Sequence, residues 1–225
     1  MSDMFFKLWD AGLIQLGIWE TIYMTLISTV ISYILGLPLG VVLHITEQGG
    51  IAPIPWLNRI LGFLVNFFRS IPFIILMVSM LPVARFIVGT ALGNKAVIVM
   101  LIIAATPYIG RMVESSLKEV NAGVIEAAQS MGASVPAIIT KVLIPEAKTS
   151  LIVGATISSG TILGYSAMSG AIGGGGLGKI AISYGYNRYQ TDVLIVTVVL
   201  LIVLMQVIQY IGMYISRKTD KRVRE

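Results

Sequence analysis

Apolar residues over most of this chain are gathered into long runs. Residues 21–43 carry no charge. A bilayer core about 30 Å thick needs ~20 apolar residues per helix, so this run is long enough to span. Four further runs follow. Residues 60–83 are interrupted by Arg69 and Pro72, and residues 96–110 form a short run bracketed by Lys95 and Arg111. Residues 149–172 and 193–216 complete the set, the last passing directly into a basic tail. The pattern predicts an all-α polytopic membrane helix bundle with five transmembrane helices over residues 21–216. Residues 1–20 form an extracytoplasmic N-terminal segment and residues 217–225 a basic cytoplasmic tail. Asp3, Asp10 and Glu20 outnumber Lys7 before the first run, and no short cleavage site follows, so this is not a removable signal.

Five spans place the termini on opposite sides. With the C-terminus inside, the cytoplasmic segments 44–59, 111–148 and 217–225 hold ten basic residues against five on the other side. The positive-inside rule then gives an N-out, C-in orientation in the cell membrane. Composition agrees. The chain is 56% hydrophobic and only 12% charged, with a mean hydropathy of +0.88, which excludes disorder and an ordinary water-soluble enzyme. There is no cysteine, hence no disulfide framework, thiolate metal site or catalytic thiol. The net charge of +5 is concentrated in the tail, at Arg217, Lys218, Lys221, Arg222 and Arg224, without the aromatic platform of a nucleic-acid binder. The tail fits a lipid bilayer instead.

The fourth run is rich in small residues. Gly160 and Gly164, like Ser166 and Gly170, stand four apart, a spacing that lets helix backbones approach closely where lipid supplies no hydrophobic force between helices. Ser158 and Ser159 on this run either pack the bundle or line a polar pathway. Tyr165, Met168 and Met77 line an apolar side-chain pocket or belong to the bundle core. Arg69 is a charge inside a run, which marks function, or else snorkels to the interface or bonds carbonyls freed by Pro72. Arg69, Ser158, Ser159, Tyr165 and Met168 are therefore the candidate translocation-pathway residues. Glu114, just past the third run, is expected to be solvated. His44 is the single histidine. No other ligand stands at metal spacing and no nucleophilic set is present, so neither a metal site nor a catalytic site is expected.

Residues 111–148 are too long for a simple connection and too polar for a span. Asn121 predicts the N-cap of one short helix, with Gly132 as its stop. Ser134 predicts the cap of a second, with Pro136 in its first turn and Pro145 at its end. Apolar residues at three- and four-residue spacing give each helix one sticky face; the second carries Ile138, Ile139, Val142 and Leu143. The face is buried against the chain's own spans, the membrane surface or another protein. A helix lying on lipid has a basic polar face. Here only Lys141 is basic, which favours a protein contact.

The residues Glu126-Ala127-Ala128, then Gly132, then Val142-Leu143-Ile144-Pro145 resemble the EAA signature of binding-protein-dependent ABC importer permeases, with Val142 and Ile144 as conservative departures. Arg69-Ser70-Ile71-Pro72 resembles the same family's Arg-x-x-Pro element. Residues 169–178, with Tyr184-Gly185-Tyr186 beyond, look like the methionine-importer permeases. The resemblance implies a type I permease fold and a cytoplasmic coupling segment, 121–145. On it Glu126, Ala127, Ala128, Gly132 and Pro145 contact a separate ATPase. It further implies a permease homodimer, two ATP-binding subunits that hold the ATP and Mg, and an external substrate-binding lipoprotein. The substrate is methionine, D or L, or a related small amino acid. No cofactor is expected in this chain. Gly173-x4-Gly178-Lys179 nearly spells a phosphate-binding loop, but Ile180 stands where Ser or Thr must hold magnesium, so ATP binding is rejected. The alternative is a stand-alone secondary carrier or channel. It calls for inverted repeats or intramembrane acids, and the sequence shows neither.

Overall fold

A computed structural model describes residues 3–219, which form helices and connecting turns with no strand among them. In lipid only a helix or a closed barrel satisfies every backbone amide and carbonyl, and the long apolar runs take the first route. In chain order the helices are α1 (Asp3–Asp10), α2 (Leu13–Thr46), α3 (Pro55–Ser70), α4 (Phe73–Ser79), α5 (Leu81–Val88), α6 (Asn94–Lys118), α7 (Ala122–Ser130), α8 (Val135–Ile138), α9 (Ile144–Glu146), α10 (Lys148–Ser169), α11 (Gly176–Ile180) and α12 (Thr191–Thr219). A π-helical turn, Ile139–Leu143, joins α8 to α9, and another, Ala181–Tyr186, extends α11.

Four helical stretches are long and apolar enough to cross a membrane: Leu13–Thr46, Asn94–Lys118, Lys148–Tyr186 and Thr191–Thr219. A fifth is reached if the bent pair α3 and α4 counts as one span. The second predicted run is not a straight helix. It turns by 103° between α3 and α4, where Pro72 lacks an amide and its ring disfavours the helical conformation at Ile71. The third predicted run, 96–110, is the middle of a 25-residue helix that continues past Arg111 to Lys118. The first span begins at Leu13, not at residue 21, and α1 precedes it within the expected N-terminal segment. Arg217 and Lys218 close α12; Lys221, Arg222 and Arg224 of the expected tail lie outside the described residues.

The chain divides into two compact units, and each long helix contributes to both. The first unit comprises Met1–Ile31, Ile71–Ala105 and Ser159–Gln209. One of its cores gathers Leu8, Ile14, Leu177, Ile180 and Val193; another gathers Met77, Ala84, Ala96 and Met100. The second comprises Ser32–Ser70, Thr106–Ser158 and Tyr210–Glu225. There α2 and α6 meet through glycine. A Cβ on Gly40 would lie 2.5 Å from the Gly110 carbonyl oxygen and 2.6 Å from Val113 Cβ, so only glycine permits this approach. The Tyr33 hydroxyl donates to the Leu151 carbonyl at 2.6 Å.

Candidate functional site

The coupling segment lies in the second unit. The Asn121 side chain accepts from the Gly123 amide at 2.8 Å, capping α7 as predicted. Gly132 stops the helix with φ +74°, a left-handed conformation that favours glycine. Ser134 occupies the N-cap position of α8 without a side-chain bond, and Pro136 sits in the first turn. Ile138 and Leu143 are fully buried. The helical run from Val135 ends at Glu146, one residue past Pro145, so the proline stands just inside its end. Proline removes one amide and its ring crowds the carbonyl four residues earlier. The π turn Ile139–Leu143 widens the backbone just before it, and α9 carries Pro145 in its first turn.

One side of α7 is left uncovered. Val124 is 42% exposed and Met131 81% exposed, and Glu126, Ala127, Gly132 and Pro145 are exposed as well. Ala128 is turned inward and buried. Four of the five predicted docking residues are thus exposed on the segment, and the fifth supports it from beneath.

The base of the segment is fixed by charge. Glu114 accepts from Arg111 at 2.6 Å and pairs with Lys118 at 3.0 Å, and Lys118 pairs in turn with Glu47 at 2.8 Å. Arg111 also donates to Asn66 Oδ1 at 3.1 Å and to the Gly62 carbonyl at 3.3 Å. Asn58 donates to the Leu43 carbonyl at 2.6 Å. These bonds tie the end of α2, α3 and the last turns of α6 together immediately before α7 begins. The expectation that Glu114 is solvated is therefore wrong. α6 runs on past the apolar stretch and carries Glu114 into the unit, where it is 6% exposed between two cations. Beside the ends of the segment a cavity of about 350 Å³ is lined by Glu119, Glu146, Thr149 and Ser150.

The predicted pathway residues lie as follows. Arg69 and Ser158 belong to the second unit. Arg69 is exposed in the last turn of α3 and has no ion-pair partner among the described residues. Ser158 is fully buried and donates to the Gly154 carbonyl at 2.8 Å. Ser159, Tyr165 and Met168 belong to the first unit. Ser159 is half-buried. Tyr165 stacks on Phe73 with centroids 3.9 Å apart and rings 4° from parallel. Met168 is 51% exposed.

The glycine-rich stretch, also in the first unit, forms a tight turn between α10 and α11. Gly173 and Gly176 adopt φ of +89° and +79°. The Gly176 amide donates to Glu20 at 2.7 Å, and the Leu177 amide donates to the Thr21 hydroxyl at 2.9 Å. Sequence reasoning missed Glu20 and Thr21 as partners of this turn. The available signal was the position of Glu20 as the last charge before the first apolar run.

Long helices apolar enough to cross a membrane, with one exposed helical elbow between them, define a membrane-embedded helical protein. Residues 36–225 match the family described as binding-protein-dependent transport system inner membrane component, and the chain belongs to that family. A probable D-methionine transport system permease protein of Vibrio cholerae is 48% identical over 95% of this chain and 95% of its own length. A methionine import system permease protein of Bacillus subtilis is 43% identical over 96% of this chain and 95% of its own length. In a solved structure described as an inward-facing conformation of the MetNI methionine ABC transporter, one chain superposes with a TM-score of 0.94 at 46% identity. It covers 98% of this chain and 100% of that one. A chain of an amino acid ABC transporter with histidines has a TM-score of 0.78 at 17% identity, a likeness of fold. The protein is a multi-pass permease subunit of the cell membrane and is not itself an enzyme.

Proposed function

We propose that this permease imports methionine or a closely related small amino acid, driven by a separate ATPase pair that docks on residues 121–145. The observation that carries the reading is 48% identity to a methionine permease over nearly the full length of both chains, joined to the uncovered face of α7. In this reading two copies of the chain form the pathway, with the N-terminus outside and the C-terminus inside. Glu126, Ala127 and Gly132 contact the ATPase together with Val124 and Met131, Ala128 and Pro145 shape the segment, and ATP and Mg are held by the ATPase. Small side chains let a partner groove approach the helix backbone closely. The acidic cavity at Glu119 and Glu146 suits basic groups on the partner surface. Closure of the ATPase pair draws the two coupling segments together and moves the helices between inward- and outward-open states. It does so because the ATPases grip the two states with different affinity. An external binding protein delivers the substrate. Ser159, Tyr165 and Met168 in the first unit and Arg69 and Ser158 in the second are the proposed pathway positions.

The test is uptake of radiolabelled methionine by proteoliposomes containing the chain, its ATPase and its binding protein. The reading requires ATP-dependent uptake that unlabelled methionine competes away. Uptake by the permease alone, without ATP, would establish the carrier alternative instead.

A further inference from the structure

We propose that Glu20 and Thr21 are positioning residues for transport: from α2 they hold the glycine turn 173–178 in place and thereby fix the cavity that Lys95 and Lys179 line. The inference rests on the transport reading and adds a named pair of residues to it.

A helix leaves its first amides without intrahelical partners. Helices usually answer this with a Ser, Thr, Asp or Asn of their own at the N-cap. α11 begins behind Gly175, which has no side chain to offer, and the two preceding residues are glycines too. Both caps come from 156 residues away. The Glu20 carboxylate accepts from the Gly176 amide and the Thr21 hydroxyl from the Leu177 amide, while Thr21 itself donates to the Gly17 carbonyl at 2.8 Å. The Thr21 hydroxyl is therefore engaged both as donor and as acceptor, at 1% exposure.

The fit around these bonds is close. A Cβ at Gly175 would collide with Asn94 Oδ1 and Glu20 Oε2, one at Gly174 with Ser169, and one at Gly178 with the Ala167 carbonyl. A Cβ on Gly17 would lie 2.6 Å from Ile180 Cδ1, which brings α2 itself against α11. The Gly93 amide donates to the Gly173 carbonyl at 3.0 Å and the Gly174 amide to the Ser169 carbonyl at 2.9 Å. Residues 173–176 have no side chains with which to hold their own shape, and the carboxylate and hydroxyl that accept from the Gly176 and Leu177 amides stand side by side on a different helix.

The same turn lines a cavity of about 350 Å³ with Glu20, Asn94, Lys95 and Lys179. Neither lysine has an ion-pair partner among the described residues. Glu20 is the one carboxylate among the residues that line this cavity, which include two lysines, and it is also the acceptor for Gly176. Within the near-match to a phosphate-binding loop, the Gly176 amide does bond an anionic group, and that group is the chain's own carboxylate.

The experiment uses the whole complex of permease, ATPase and binding protein in proteoliposomes. It compares wild type with Glu20→Ala, Glu20→Gln, Thr21→Val and Thr21→Ser, reading co-purification with the ATPase and the KM and kcat of methionine uptake. Gln and Ser keep an acceptor for the Gly176 and Leu177 amides; Ala and Val do not. The expected result is that all four variants assemble, that Glu20→Ala and Thr21→Val raise the uptake KM about tenfold, and that Glu20→Gln and Thr21→Ser stay within threefold of wild type. Uptake by Glu20→Ala and Thr21→Val with a wild-type KM overturns the proposal, and so does equal loss in the acceptor-keeping and acceptor-lacking variants. If Glu20→Ala fails to assemble, the Thr21→Val and Thr21→Ser pair decides by the same criterion. Absence of uptake by the wild-type complex counts against the transport reading itself, so the two failures are separable.

Discussion

Single side chains near the coupling segment do measurable work. Glu114 is buried between Arg111 and Lys118, so Glu114→Ala leaves two cations without their shared partner. Removing one member of a buried pair costs several kcal/mol, but Lys118 is half exposed and water screens part of that loss. The expected destabilisation is about 2 kcal/mol, read as a lower melting temperature in detergent. Gly40 makes the complementary case of space. Gly40→Val would press a branched side chain against the Gly110 carbonyl and Val113. Overpacking of this kind costs about 1–3 kcal/mol, so the melting temperature falls here too, with no change in charge. The sequence exposed neither residue's role. Glu114 looked solvated because it stands beyond the apolar run, and only its pairing with Lys118 and Arg111, whose guanidinium also reaches α3, shows otherwise. The Glu20–Thr21 clasp was equally hidden, since its partners are 156 residues distant and are backbone amides, which leave no trace in residue identity.

Among the elements, α7 was the most legible. Asn121 and Gly132 marked its two ends because capping and left-handed turns place narrow demands on residue type. The shapes of the proline-bearing elements were less so. Pro72 turns the chain by 103°, whereas Pro145 follows a π turn and sits one residue before its helix ends, and Pro38 and Pro107 lie within unbroken helices. Residue type is the same in each case; neighbouring backbone that can widen or re-bond decides the outcome. If the uncovered face of α7 docks the ATPase, a charge at Met131, the apolar residue that follows the helix, weakens docking and spares the fold. Met131, 81% exposed, has nothing to lose in its own unit. Met131→Asp is expected to leave the stability, read from thermal unfolding in detergent, within about 0.5 kcal/mol of wild type, as for a surface change, and to reduce ATPase co-purification at least tenfold.

At the scale of the whole molecule, the all-α membrane class and the helical spans follow from hydropathy alone, because a bilayer allows few ways to satisfy a backbone. Orientation rests on a different and weaker asymmetry, ten basic residues against five, and it decides which side the coupling segment faces. The chain contains no cysteine, so one introduced thiol reports without background. The most direct measurement is labelling of Gln129→Cys, exposed on α7, by a membrane-impermeant maleimide in vesicles of known sidedness. Labelling is expected in inside-out vesicles only, with protection when the ATPase subunits are added back. Labelling from the outside, or cytoplasmic labelling that the ATPase leaves unchanged, would contradict a cytoplasmic docking role for the segment.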